Sequence, residues 1–301
     1  MTRVVFMGSP EFSLPTLQAL AETYDVVGVV TQPDRASGRG RELKAPPVKM
    51  LALKLAIPVM QPEKLRLPEA TEQLRAWNPE LIVVAAFGQI LRQDVLDLPP
   101  HGCINVHASL LPRWRGAAPI HAAILHGDEE TGVTIMKMDA GLDTGPMLSQ
   151  RSMPLMPDDT AGSVFEKVSQ LGADLLLETL PDYLSGKLMP TPQPEEGMTY
   201  APMMKKEEGQ LDFIQDVNEL ERRVRAFNPW PGAFMDFDGT LLKIHRAHVE
   251  PGQATAGQRL VWRNQPAIGA KGGILVLDEV QPAGKKSMSG SSFLAGARNW
   301  T

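Results

Sequence analysis

Cys103 is the only cysteine among the 301 residues. A single thiol excludes an intrachain disulfide and any zinc site built on cysteine. No stretch approaches the roughly 18 consecutive apolar residues a spanning helix needs, so no membrane helix is expected. Met1, Thr2 and Arg3 lead straight into the apolar residues 4–7, which does not resemble a secretory signal. His107, His121 and His126 show neither H-E-x-x-H nor H-x-H spacing, so no metal site is expected. The first strand-to-helix turn, Gly8-Ser9-Pro10-Glu11-Phe12, is not G-x-G-x-x-G. It reads instead as a helix start with Ser9 at the N-cap and Pro10 at the first helical position. No internal repeat is apparent. These absences leave a cytoplasmic protein without metal or membrane association as the expectation.

What is present is ordinary in bulk and uneven in distribution. Hydrophobic residues make up 43% and charged residues 22%, as in soluble globular proteins. The length suggests two domains. The net charge is −5, yet residues 239–301 hold eight Lys/Arg against Glu250, Asp278 and Glu279. That end is basic by five charges, on a body acidic by ten. A solvated surface accounts for such a contrast, and so does an anionic macromolecular partner.

Along the first half, apolar runs at 4–7, 26–31, 81–86 and 103–107 alternate with helical patterns near 14–23, 48–55, 69–76 and 90–96. This alternation predicts an α/β domain with a parallel sheet. Runs at 132–138 and 147–153 read as a strand pair at the sheet edge. Asp158, Asp159 and Thr160 precede a helix to about 184. Residues 187–205 are rich in Pro, Glu and Thr and read as an extended linker. Beyond it, a helix over 217–227 precedes short runs at 233–237, 240–247, 260–262 and 274–280. A last helix is expected near 292–298. Short strands with frequent turns suggest a small OB-like barrel. The expected division is therefore 1–187, a linker over 188–205, and 206–301.

The richest segment is residues 102–119, G-C-I-N-V-H-A-S-L-L-P-R-W-R-G-A-A-P. Cys103, Ile104 and Val106 give a buried strand. Asn105 and His107 are two apart, so both point to one face, roughly 7 Å from each other. Pro112 stops any helix, and residues 113–116 make a loop before a helix over 117–126. Polar residues at the end of an apolar strand are where open α/β sheets place their chemistry. A lone histidine there would more often be a satisfied core residue. Cys103, in an apolar strand, reads as an inert small hydrophobe rather than a nucleophile.

The ordered run N-V-H-A-S-L-L-P followed by R-W-R-G-A-A-P closely resembles the signature of the 10-formyltetrahydrofolate-dependent formyltransferases. A second run, Met138-Asp139-Ala140-Gly141-Leu142-Asp143-Thr144-Gly145, resembles that family's other motif. The resemblance implies a Rossmann-like formyltransferase domain with Asn105, His107 and Asp143 catalytic and Asp139 structural. It implies 10-formyltetrahydrofolate as co-substrate, no metal, and folate contacts from Ser109, Leu110, Leu111 and Pro112. Phe87 and Gly88, after the 81–86 strand, are expected to line the pterin pocket. The chemistry suits these residues. Acyl transfer needs donors for a developing oxyanion and an acceptor for the amine's proton. An asparagine amide, an imidazole and a carboxylate that orients it supply them.

The acceptor is read from residues 31–49, which hold five basic residues against two acidic ones, two glycines and no helical period. This reads as a long, flexible, cationic loop suited to phosphate contacts. Its Q-P-D-R-A-S-G-R-G sequence resembles the loop of the family's branch that formylates methionine on initiator tRNA. So do R-A-F-N-P-W-P-G at 225–232 and Q-P-A-G-K-K at 281–286. The resemblance implies tRNA contacts from Arg35, Arg39, Arg41, Lys44, Lys285 and Lys286, and a monomer. Two other readings stay open: a formyltransferase for a small amine such as an amino sugar nucleotide, and a folate- or RNA-binding protein with a decayed site.

Overall fold

The computed structural model describes residues 1–37, 42–297 and 299–301, without the side chains of Ala36, Ser37 and Glu42. The chain begins β1 (Arg3–Gly8), α1 (Leu14–Thr23), β2 (Asp25–Val30), β3 (Arg35–Ser37), β4 (Glu42–Lys44), α2 (Pro47–Lys54) and β5 (Val59–Met60). It continues with α3 (Pro68–Trp77), β6 (Leu81–Ala85), α4 (Gln93–Leu96), β7 (Cys103–His107), β8 (Arg115–Gly116) and α5 (Pro119–His126). Then come β9 (Glu130–Lys137), β10 (Met147–Pro154), α6 (Ala161–Leu184), β11 (Tyr200–Ala201) and α7 (Val217–Ala226). Strands β12 (Ala233–Phe237), β13 (Thr240–Glu250), β14 (Arg259–Trp262), β15 (Gln265–Ala270), β16 (Gly273–Pro282) and β17 (Met288–Ser289) lead to α8 (Gly290–Gly296). Two compact units result: residues 1–116, 131–153 and 165–200, and residues 117–130, 154–164 and 201–301.

The first unit is built on a seven-stranded sheet in the order β10-β9-β7-β6-β1-β2-β5. Strands β5, β2, β1, β6 and β7 are parallel, and β9 runs antiparallel to β7. The residues 4–7 and 81–83 are fully buried, as strands covered on both faces must be. The chain leaves β1 in one direction for β2 and β5 and in the other for β6 and β7. This reversal opens a crevice at the strands' carboxyl ends. Gly172 of α6 would place a Cβ 2.7 Å from Val106, so the helix presses on the face of β7 opposite Asn105 and His107.

Several local expectations change. Ser9 does not cap α1; its Oγ accepts from Gln32 N at 3.0 Å and from Thr31 Oγ1 at 3.2 Å, tying β1 to β2. Residues 11–13 form a short 3-10 turn, and α1 starts after Ser13. The helix expected over 90–96 shrinks to Gln93–Leu96. The helix starts late because Arg92, at its N-cap, is extended; just before it the side-chain amide of Gln89 accepts from Leu65 N at 2.7 Å and donates to Pro62 O at 3.2 Å. The segment read as one long loop contains an antiparallel pair, β3 with β4, in which Arg35 faces Lys44.

The second unit holds an antiparallel sheet in the order β12-β13-β16-β15-β14, with β17 on β16. Register shifts in β13 at Arg246 bend the strand. Edge strand β14 is tied to the β12–β13 turn by side chains: Arg259 pairs with Asp238 at 3.0 Å and lies over the rings of Phe237 and Trp300. Trp300 donates to Leu260 O at 2.8 Å. Leu220 and Val224 of α7, Leu242, Ile268, Leu275, Phe293 and Trp300 form the core. Strand β15 is absent from the sequence reading because Pro266, Gly269 and alanines hide it. Glycine is required at 269: a Cβ there would stand 2.4 Å from Thr255 O.

Candidate active site

Strand β7 delivers Asn105 and His107 to one face, both buried. His107 Nε2 lies 2.9 Å from the carbonyl oxygen of Trp114. A carbonyl only accepts, so Nε2 carries the ring's proton. Nδ1, the ring's other nitrogen, stands 3.7 Å from Asp143 Oδ2. Asn105 Nδ2 donates to Asp143 Oδ1 at 3.3 Å, and Gly116 N donates to Oδ2 at 2.9 Å. The three predicted catalytic residues therefore meet in one cluster within the first unit.

The loop carrying Asp143 is constrained from several sides. Asp143 has φ +52°, an uncommon region for a residue with a Cβ. A Cβ on Gly145 would lie 1.9 Å from Lys137 O, so only glycine lets the loop close on β9. Asp139 accepts from Gly141 N at 3.0 Å and Thr144 Oγ1 at 2.7 Å, bracing its own turn.

The residues expected at the folate turn fall into two groups. Ser109 is buried, and its Oγ donates to Arg113 O at 2.6 Å. Leu111 is buried as well, and Leu110 is half-buried. Phe87 is buried in a hydrophobic core cluster with Val84, Leu65 and Leu91. Gly88, with φ +79°, lines a cavity of about 500 Å³ together with Gln32, Pro33, Arg35 and Lys44. Arg35 and Lys44 are exposed, and Lys285 and Lys286 are exposed in the turn after β16. Arg39 and Arg41 lie outside the described residues.

Sequence reasoning missed the groups that hold this cluster. Thr134 of β9, fully buried, donates to Ser109 O at 2.7 Å and accepts from Leu111 N at 3.0 Å. Gln150 Nε2 reaches both Thr134 Oγ1 at 2.9 Å and Leu111 O at 2.7 Å. A threonine inside the apolar run Val133–Ile135 was the available signal. Trp114 and Gly116 act through backbone atoms, which carry no residue signature. Burial pushes the Cys103 thiol up to about 12, consistent with an inert core group. Among the described residues no three His, Cys, Asp or Glu side chains are grouped to hold a metal ion. Nor is any of their helices long and apolar enough to cross a membrane.

An amide and an imidazole at the carboxyl end of a parallel strand, met by a carboxylate from a loop, are groups that acyl transfer can use, and the chain belongs to the formyl transferase family. The family model for formyl transferase matches residues 2–180, and that for the formyl transferase C-terminal domain matches residues 203–298. Within the family the chain is similar to a methionyl-tRNA formyltransferase of Myxococcus xanthus strain DK1622, 54% identical over 98% of this chain and 95% of that one. The fold is shared with the methionyl-tRNA formyltransferase from Clostridium thermocellum, at TM-score 0.59 and 18% identity over 84% of this chain and 96% of that one. It is shared also with an N-formyltransferase from Helicobacter canadensis, at TM-score 0.68 and 18% identity over 94% of this chain and 100% of that one.

Proposed function

We propose that this enzyme transfers the formyl group of 10-formyltetrahydrofolate to the α-amine of methionine on initiator tRNA. The observation that carries the reading is the meeting of Asn105, His107 and Asp143 in a chain so similar over its whole length to a methionyl-tRNA formyltransferase. In this reading the amine nitrogen attacks the formyl carbon and a C–N bond forms. The carbonyl oxygen gains negative charge, which the second N–H of the Asn105 amide stabilises. The amine's proton passes to His107 Nδ1, where Asp143 offsets the imidazolium charge. The bond from the formyl carbon to folate N10 breaks, and that nitrogen regains the proton. The products are formylmethionyl-tRNA and tetrahydrofolate.

For the acceptor, the support is the ladder pairing of Arg35 with Lys44 at the edge of the cavity beside Gly88. Like charges placed opposite each other destabilise a strand pair, and phosphate contacts compensate them. The same reading assigns catalysis to residues 1–187 and tRNA binding to 206–301, where Lys285 and Lys286 are exposed. The test is a formylation assay on the purified protein with initiator methionyl-tRNA and, in parallel, an amino sugar nucleotide. Formylmethionine on the tRNA is expected. A higher kcat/KM on the sugar nucleotide, or no transfer to either, overturns the reading.

A further inference from the structure

The segment at 188–205 reads in sequence as a connector, yet its residues 191–199 are hydrogen-bonded to both halves of the cluster. Gln193 Nε2 donates to the carbonyl oxygens of Asp143 and Gly145, each at 2.8 Å. Gln193 Oε1 accepts from Arg115 Nε at 3.0 Å and Nη2 at 2.7 Å. One amide thus uses both its donors on the Asp143 loop and its acceptor on β8. Thr199 takes hold of the other half. Its Oγ1 accepts from Trp114 N at 2.9 Å, and its carbonyl accepts from Arg115 N at 2.9 Å. Trp114 is the residue whose carbonyl orients His107. Thr191 secures the start of the segment by exchanging two backbone hydrogen bonds with Met147, both 2.8 Å.

We infer that residues 191–199 are a strap that positions the site, with Gln193 and Thr199 as its positioning residues. The inference rests on the proposed roles of His107 and Asp143. Arg115 is nearly fully buried, so its guanidinium needs the Gln193 oxygen whatever the chemistry. The two amide donors have a different role. They pin the backbone on either side of Thr144, in a loop whose Asp143 has positive φ. Without them the carboxylate loses its fixed place opposite His107 Nδ1. A displacement of about 1 Å at a reacting group is enough to cost ~10²-fold in rate.

The experiment is single-turnover formylation by full-length Gln193→Ala, Gln193→Glu, Thr199→Val and Thr199→Ser. Melting temperature and tetrahydrofolate binding are measured alongside. Gln193→Ala is expected to lower the rate by ~10–100-fold while tetrahydrofolate affinity stays within about threefold. Gln193→Glu keeps a partner for Arg115 but sets an anionic oxygen against two carbonyls, so it should be no better than Ala. Thr199→Ser should restore what Thr199→Val loses. In an Asp143→Ala background, Gln193→Ala should cost less than about threefold more, because the group it positions is gone. If Gln193→Ala does not fold, Gln193→Glu carries the test. Wild-type rate in a folded Gln193→Glu overturns the strap, as do multiplicative losses in the double variant. If Asp143→Ala alone keeps full activity, the site reading fails and takes the strap with it.

Discussion

His107 Nδ1 and Asp143 Oδ2 stand 3.7 Å apart, with the ring's other nitrogen already committed to Trp114. A proton arriving at this imidazole therefore has one place to go, and a carboxylate faces it there. His107→Ala and Asp143→Ala should each lower kcat by ~10²–10⁴-fold, the range for a positioned acid–base or charge-stabilising group. Asp143→Asn keeps an acceptor for Gly116 but removes the charge, and should be comparably impaired. Folate affinity should change little. Steady-state kinetics with a folding control decide the matter: a variant retaining over about a third of wild-type kcat has no catalytic residue at that position.

Thr134 ties the 109–112 turn to the sheet with one hydroxyl. Thr134→Val is nearly isosteric but strands the amide of Leu111 without its acceptor. Burying an unpaired amide costs about 1–3 kcal/mol, and that loss should appear in urea unfolding. KM for formyl-folate should rise more than kcat falls, because the turn and not the His107–Asp143 pair is disturbed. Unchanged stability and KM would remove Thr134 from the support of this turn.

Arg39 separates a tRNA acceptor from a small one. It lies outside the described residues, between the arms that end at Ser37 and begin at Glu42. Arg39→Ala should reduce kcat/KM on methionyl-tRNA by ~1–3 kcal/mol, the scale of a good base or phosphate contact. Activity should also fall steeply with salt, while folate binding stays as it was. Kinetics at two salt concentrations give the answer, and unchanged tRNA kinetics favour the small amine.

His121 gives the second unit a pH dependence. Burial pushes its pKa below the ordinary histidine value, against the opposing pull of the Trp230 carbonyl. The folded protein then binds a proton less readily than the unfolded chain, whose histidine titrates near about 6.5. Stability from this group is present above that pH and is lost as the pH falls through the folded-state value. Between about pH 7.5 and pH 5.5, the wild type should lose more stability than His121→Gln. Equal losses in denaturant unfolding would contradict the assignment.

The parallel sheet was legible because its signal is local. Residues 4–7 and 81–85 are apolar without interruption, a composition that strands buried on both faces carry, while 103–107 is broken only by Asn105 and His107. Asn105 and His107 could be placed on one face from the period of two alone. The candidacy of Asp143 came from a motif, since 38 positions separate it from Asn105 and no periodicity spans that distance. The strands of small residues escaped notice for a related reason. Gly269 is chosen by what lies against it, and a strand of small residues lacks the bulky alternation that announces one.

By itself, then, the chain's sequence determined which segments are buried, which strand carries the polar pair, and which family it joins. Those properties follow from side-chain type and spacing. Tertiary structure alone decided that His107 points Nδ1 and not Nε2 at Asp143, and that Gln193 grips the Asp143 loop. In each case a backbone carbonyl is the partner: Trp114 O for the ring, Asp143 O and Gly145 O for the amide. Every residue owns a carbonyl. Only the folded path of the chain selects the one that a given side chain meets.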